Sequence, residues 1–136
     1  MCLTLKQNYK TRREAREGLK KVKPRIAKKD IIVYKRIYLQ NNKKEGYSPY
    51  KNFVYNKGYQ YHENKFTINV ESYYGDWNIV INEGLHADIS RSTSLYNIRH
   101  AFDNRKTSII QMIIPKGSEY FLGKNNDIVT NNLIWY

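Results

Sequence analysis

The chain contains a single cysteine, three prolines and seven glycines in 136 residues. One thiol excludes an internal disulfide framework and a Cys-rich zinc site. No run of ~18 apolar residues occurs, so no transmembrane helix is expected. The opening residues, Met1-Cys2-Leu3-Thr4-Leu5-Lys6, lack an apolar stretch of leader length. Neither a secretory signal nor a lipoprotein anchor at Cys2 is expected, and a reducing cytoplasm is the default compartment. Acids are scarce as well: 12 Asp+Glu stand against 24 Lys+Arg, a net charge of +12. They are also scattered, which leaves little material for the paired carboxylates of a glycosidase.

What is abundant is aromatic. Thirteen tyrosines help bring the aromatic share to 14% and the hydrophobic share to 40%. That is too apolar for a disordered chain and implies a packed core. The length fits one domain over 1–136.

The positive charge is concentrated. Residues 1–29 carry 11 Lys/Arg against Glu14 and Glu17, a net of +9, and residues 30–136 carry the remaining +3. Thr11-Arg12-Arg13-Glu14 has capping-box spacing, and Ala15, Leu19 and Val22 recur at i, i+4 and i+7. The spacing predicts a basic amphipathic helix that ends before Pro24 and makes 1–29 a helical segment lying on the body.

From Asp30 the period becomes that of strands. Ile31 to Leu39 is β-branched and aromatic, and Phe53–Tyr55, Phe66–Val70, Trp77–Ile81, Ile109–Ile114, Glu119–Leu122 and Ile128–Trp135 read likewise. Asn41 to Gly46 reads as a polar loop, Ser48-Pro49 as a turn, and Gly75-Asp76 and Gly123 to Asn126 as further turns. A second helix is predicted over about Ser94–Asp103, capped by Ser92 or Ser94. The fold class is α+β: a mostly antiparallel sheet, an N-terminal basic helix and one further helix.

Chemical motifs are sparse. Pro115-Lys116-Gly117-Ser118 has the residues of a phosphate loop in the wrong order, and between two strands it reads as a tight turn. His62, His86 and His100 share no metal-ligand spacing, so no metal and no cofactor is expected. No Gly-x-Ser-x-Gly elbow is present, and no catalytic residue is assigned. His86, in the turn Glu83-Gly84-Leu85-His86, is the histidine best placed to reach a cleft.

Two resemblances are visible. Met1-Cys2-Leu3-Thr4, Asp30 to Lys35, Ser48-Pro49-Tyr50 before Phe53 and Gly58, Glu83 to His86, Ile113 to Tyr120 with Gly123, and Asp127 to Asn131 resemble a family of small proteins. These are carried by bacteriophages and mobile elements of Bacteroidetes-type hosts. That resemblance implies a phage protein acting in the host cytoplasm. The order of elements is also similar to a minimal ADP-ribosyltransferase, with Arg36 on the first predicted strand and Ser92-Thr93-Ser94 further on. Where that family has Glu-x-Glu before a late strand, this chain has Asp127-Ile128-Val129-Thr130-Asn131-Asn132. The departure implies a nucleotide-binding relative without transfer chemistry.

The leading functional expectation is therefore a non-enzymatic phage protein that binds a nucleotide-type anionic signal as a counter-defence. Cations for phosphate and aromatics for bases are the chemistry required. Tyr34, Arg36, Tyr50, His86, Arg91 and Lys116 are the candidate contacts. An alternative is binding of nucleic acid or an acidic host protein by Arg12, Arg13, Arg16, Lys20, Lys21 and Lys23. A mono-ADP-ribosyltransferase is the enzymatic alternative.

Overall fold

The computed structural model describes residues 3–39, 44–48, 53–94 and 107–136. In chain order the elements are β1 (Leu3–Tyr9), α1 (Arg12–Leu19), β2 (Arg25–Ile26), β3 (Ile31–Leu39), β4 (Glu45–Tyr47), β5 (Val54–Asn56) and β6 (Tyr59–His62). These are followed by β7 (Thr67–Tyr73), β8 (Asp76–Glu83), β9 (Leu85–Asp88), β10 (Ser108–Ile114), β11 (Glu119–Leu122), β12 (Asp127–Thr130) and β13 (Asn132–Trp135). The α+β class holds, with antiparallel pairing throughout the described strands.

Two sheets form. The smaller runs β1-β8-β7, and the larger runs β2-β11-β12-β9-β3-β10-β13-β6 with β4 and β5 branching from β3. Val33 and Ile37 of β3 share a face with Ile110 and Met112 of β10, and with Leu85, Ala87, Ile128, Leu133 and Trp135 they make the main core. Removing each of the larger of these side chains from water stabilises the fold by ~1.5–3 kcal/mol. The opposite face of β11 and β12 meets the small sheet, where Leu3 and Ile81 pack on Phe121 and Val129. Strand β8 runs straight into β9 through Gly84, so one stretch of chain passes from the small sheet to the large one.

The β7–β8 hairpin closes through Tyr74 (φ +50°) and Gly75 (φ +85°), the two left-handed positions of a type I′ turn. At 115–118, Gly117 (φ +89°) and the bond from the Ser118 amide to the Pro115 carbonyl (3.1 Å) make the expected tight turn.

The basic N-terminal segment is not one helical unit. It contains a strand, an eight-residue helix and a two-residue strand. The helix itself starts as its sequence indicates: the Glu14 amide donates to Thr11 Oγ1 at 3.2 Å, and Ala15 is fully buried. Thr11→Ala is expected to lower unfolding free energy by about 1 kcal/mol in urea titrations, because the Glu14 amide loses its side-chain acceptor. The helix stops at Leu19 rather than reaching Pro24.

The other differences are local. Glu45–Tyr47 is a strand, not part of a loop, because it pairs with both β3 and β5. The Tyr-rich link at Tyr59 is strand β6, paired to β13. The single strand expected over 128–135 is split at Asn131, where Thr130 Oγ1 donates to the Glu119 carbonyl (2.8 Å) and Asn131 Oδ1 accepts from the Glu119 amide (2.9 Å). Residues 91–94 are helical and Ser90, not Ser92 or Ser94, caps them: Ser90 Oγ accepts from the Thr93 amide at 3.3 Å. The rest of the predicted second helix lies outside the described residues.

Candidate functional site

Alternation along β3 puts Val33, Lys35 and Ile37 on the core-facing side. Lys35 therefore sits where every neighbour in register is apolar, and it is only 8% exposed. Its Nζ donates to the backbone carbonyl of His86 and lies 5.3 Å from the centroid of the Tyr55 ring. Burial pulls its pKa down to about 8, against an attraction from the Asp88 carboxylate that acts the other way. Tyr55 responds to the same surroundings in the opposite sense: burial, then the neighbouring Tyr61 and Glu63, push its phenol far above the usual range.

Beside Lys35 lies a cavity of about 140 Å³. It opens at the junction where β8 leaves the small sheet, so Asn82, Glu83 and Gly84 form one side and Leu85 and His86 the next. Ser48, Phe53, Tyr55 and Glu63 complete it. The aromatic wall is held edge to face: Phe53 and Tyr55 are 4.8 Å apart, and Tyr61 stands 4.9 Å from Tyr55. The Asn56 amide donates to Tyr61 Oη at 2.5 Å, and the Ser48 amide to the Phe53 carbonyl at 2.8 Å, which fixes the β4–β5 side. Thr67 Oγ1 donates to Glu83 at 2.9 Å. The volume suits a single ring, the size of an engineered benzene cavity, and no whole nucleotide fits inside it.

Asp88, whose charge acts on Lys35, and Asp127 are buried cross-strand partners on β9 and β12. Ser94 Oγ donates to Asp88 at 2.6 Å, and burial raises the Asp127 pKa, with a smaller push from Asp88. Among the described residues no three His, Cys, Asp or Glu side chains converge as metal ligands.

A second feature is at the far end of the small sheet. Arg12, Arg13, Arg16, Lys20, Lys21 and Lys23 are all exposed. The Arg12 guanidinium stands 5.9 Å over the Trp77 ring, and Lys20 pairs with Glu17 at 3.1 Å. Trp77 pairs with Tyr9 on one side and Ser72 on the other. One residue beyond Ser72, Tyr73 is 64% exposed and Tyr74 95%, with their rings 4.8 Å apart. Cations and bare aromatic rings thus share one end of the molecule.

The sequence candidates for a small ligand are dispersed. Tyr34 and Arg36 lie on the face of β3 opposite Lys35, and the pairing of Tyr34 with Asp88 puts them beside His86 on β9. Arg91 is exposed in the helical turn after β9, and Lys116 is exposed in the 115–118 turn, its amide donating to Asp30 at 2.9 Å. Tyr50 lies outside the described residues. Of these candidates only His86 lines the cavity. Ser92-Thr93-Ser94 lies in a helical turn, where Ser94 is fully buried against Asp88.

Lys35 was legible but overlooked. A lysine at the centre of Val33-Tyr34-Lys35-Arg36-Ile37 shares parity with two β-branched residues, and parity in a strand is orientation. No family model, curated protein or solved structure matches the chain.

Proposed function

We propose that the protein is a non-enzymatic binding module for single-stranded nucleic acid, engaged by α1 and the tip of the β7–β8 hairpin. The observation that carries this reading is the juxtaposition of Arg12 over Trp77 with the bare rings of Tyr73 and Tyr74. Phosphates need cations, and bases need flat apolar surfaces that accept any sequence. The end of the small sheet offers both, and the net +9 of residues 1–29 supplies long-range attraction. A tyrosine 95% exposed at a hairpin tip adds nothing to the core and leaves its ring accessible for stacking.

The test is fluorescence anisotropy with a labelled single-stranded oligonucleotide. Affinity should fall steeply with salt, with a log–log slope of about −0.7 per phosphate contacted. The triple charge reversal R12E/R13E/R16E should flatten that slope, and Tyr74→Ala should weaken binding by ~5–150-fold through lost stacking. Binding that neither change affects, or no binding of micromolar protein in 50 mM salt, would sink the proposal.

A smaller ligand is the second reading: a nucleotide-type signal captured by a phage-borne protein in its host's cytoplasm. Tyr34 and Arg36, together on one face of β3 where it pairs with β9, support it. Calorimetry with cyclic nucleotides and ADP-ribose separates the two readings, because heat with these ligands and none with the oligonucleotide selects this one.

A further inference from the structure

We propose that the cavity beside Lys35 is a covalent binding site for a small ring-bearing aldehyde or ketone, held as an imine on Nζ. Three features of the site lead there. A lysine only 8% exposed is normally avoided, since a charged ammonium taken from water loses much of its hydration. Here it borders a cavity of about 140 Å³, room for one ring. The walls suit such a ring: Phe53 and Tyr55 offer aromatic surface and Leu85 an aliphatic one.

The chemistry follows from the amine's surroundings. An amine with a pKa of about 8 is roughly one-fifth neutral at pH 7.4, against about one part in a thousand for an ordinary lysine. The neutral nitrogen's lone pair attacks the carbonyl carbon, the C–N bond forms and the carbonyl π bond opens onto oxygen. A proton moves from nitrogen to that oxygen, giving the carbinolamine. A second proton reaches the hydroxyl, water leaves, and the nitrogen lone pair closes the C=N bond. The iminium's remaining proton passes to a carboxylate or water, so the balance is amine plus carbonyl giving imine plus water. Glu63 and Glu83 both line the cavity, where a carboxylate can take up the iminium's proton, and water supplies the proton that reaches the hydroxyl. His86 and Asn82 line it too, and Asp88 acts on the amine from the large sheet. The ligand class is set by what the cavity excludes. With two carboxylates in its lining, a phosphate-bearing compound is repelled, whereas a neutral ring carbonyl is not.

Reductive trapping of the intact chain tests this. Benzaldehyde and cyanoborohydride at pH 7.4 convert an imine to a stable benzylamine: hydride adds to the imine carbon and water supplies the nitrogen's proton. Peptide mass mapping should find the benzyl group on Lys35 at least ~10-fold faster than on exposed Lys116 or Lys124, from the larger neutral fraction. Lys35→Arg, which keeps the charge but forms no imine, should lose that mark while the surface lysines label as before. Pyrene carbaldehyde, too large for the cavity, should leave Lys35 unmarked. Labelling of Lys35 no faster than Lys116, or labelling by the pyrene compound at the benzaldehyde rate, overturns the proposal. Both comparisons are made on the unaltered protein, so a poorly folding variant does not blunt the test.

Discussion

Gly84→Ala should lower the thermal midpoint by about 10 °C. Gly84 is the hinge at which β8 leaves the small sheet and β9 joins the large one. Its φ is +137°, a region that residues with a Cβ rarely adopt, which costs ~1–3 kcal/mol. The added methyl would also run into Val129 Cγ2 and stand 3.1 Å from Phe66 Cδ1. The nearer neighbour, Val129, has no solvent-side space to yield into. Val129 is fully buried in the contact between the sheets, and the Phe66 ring is locked edge to face on Phe121, 5.0 Å away. Overpacking of this kind adds ~1–3 kcal/mol. Together the two effects come to about 3 kcal/mol, and at roughly 3–4 °C per kcal/mol for a chain of this length the midpoint falls as stated. Differential scanning calorimetry measures it. Gly58→Ala is the control: φ is +91° there, but an added methyl meets nothing within 4 Å. It should show the backbone cost alone, so an equal loss at both glycines would refute the packing half of the argument.

The same crossing explains how much of this fold the sequence reveals. Strand β3 was legible at both ends because Ile31 to Leu39 is β-branched, aromatic or aliphatic apart from Lys35 and Arg36, with Asp30 and Gln40 on either side. The start of α1 was legible because a cap is local: Thr11 and Glu14 are three residues apart. Strand β1 was not, because what makes Leu3–Tyr9 a strand is its pairing with Trp77–Ile81, some seventy residues on. Its own residues, Leu-Thr-Leu-Lys-Gln-Asn-Tyr, alternate only weakly, and three of the seven are exposed. Weak local preference yields to a distant partner. The split at Asn131 escaped for the opposite reason: Thr130 and Asn131 are unremarkable in sequence, yet both bond back to Glu119 on the neighbouring strand.

The candidate sites divide along the same line. The basic cluster of Arg12, Arg13 and Arg16 could be counted from composition, since exposed charge needs no partner. Its union with Tyr73 and Tyr74 could not, because it depends on a hairpin tip turned toward the start of a helix sixty residues earlier. The cavity shows the limit most clearly. Its walls come from β3, the β4–β5 pair, the end of β6 and the β8–β9 crossing, and no spacing along the chain brings those together. What was readable was the anomaly, a lysine in phase with Val33 and Ile37.

That lysine carries the second large effect, and its direction is unusual. Wild-type stability should rise relative to Lys35→Met by about 2 kcal/mol between pH 7 and 9.5. Native Lys35 releases its proton near pH 8, because burial disfavours the ammonium more than Asp88 favours it. The unfolded chain holds the same proton until about pH 10.5. Between those values the unfolded state binds more protons, so raising the pH shifts the equilibrium toward the fold. The contribution is fully present above pH 10.5 and is lost as the pH falls through 8. Above about pH 10 Tyr55 works in the other direction: its native phenol keeps a proton that the unfolded chain gives up, so alkali favours unfolding there. Net charge matters as well, since titrating a basic protein toward its pI of about 9.7 relieves self-repulsion in both variants. Taking the difference between wild type and Lys35→Met in parallel urea titrations at pH 7, 8, 9 and 9.5 removes most of both effects. A difference that stays flat across that range would mean that Lys35 keeps an ordinary affinity for its proton. An ammonium of that kind would also be a poor nucleophile, so the imine at the cavity would fall with it.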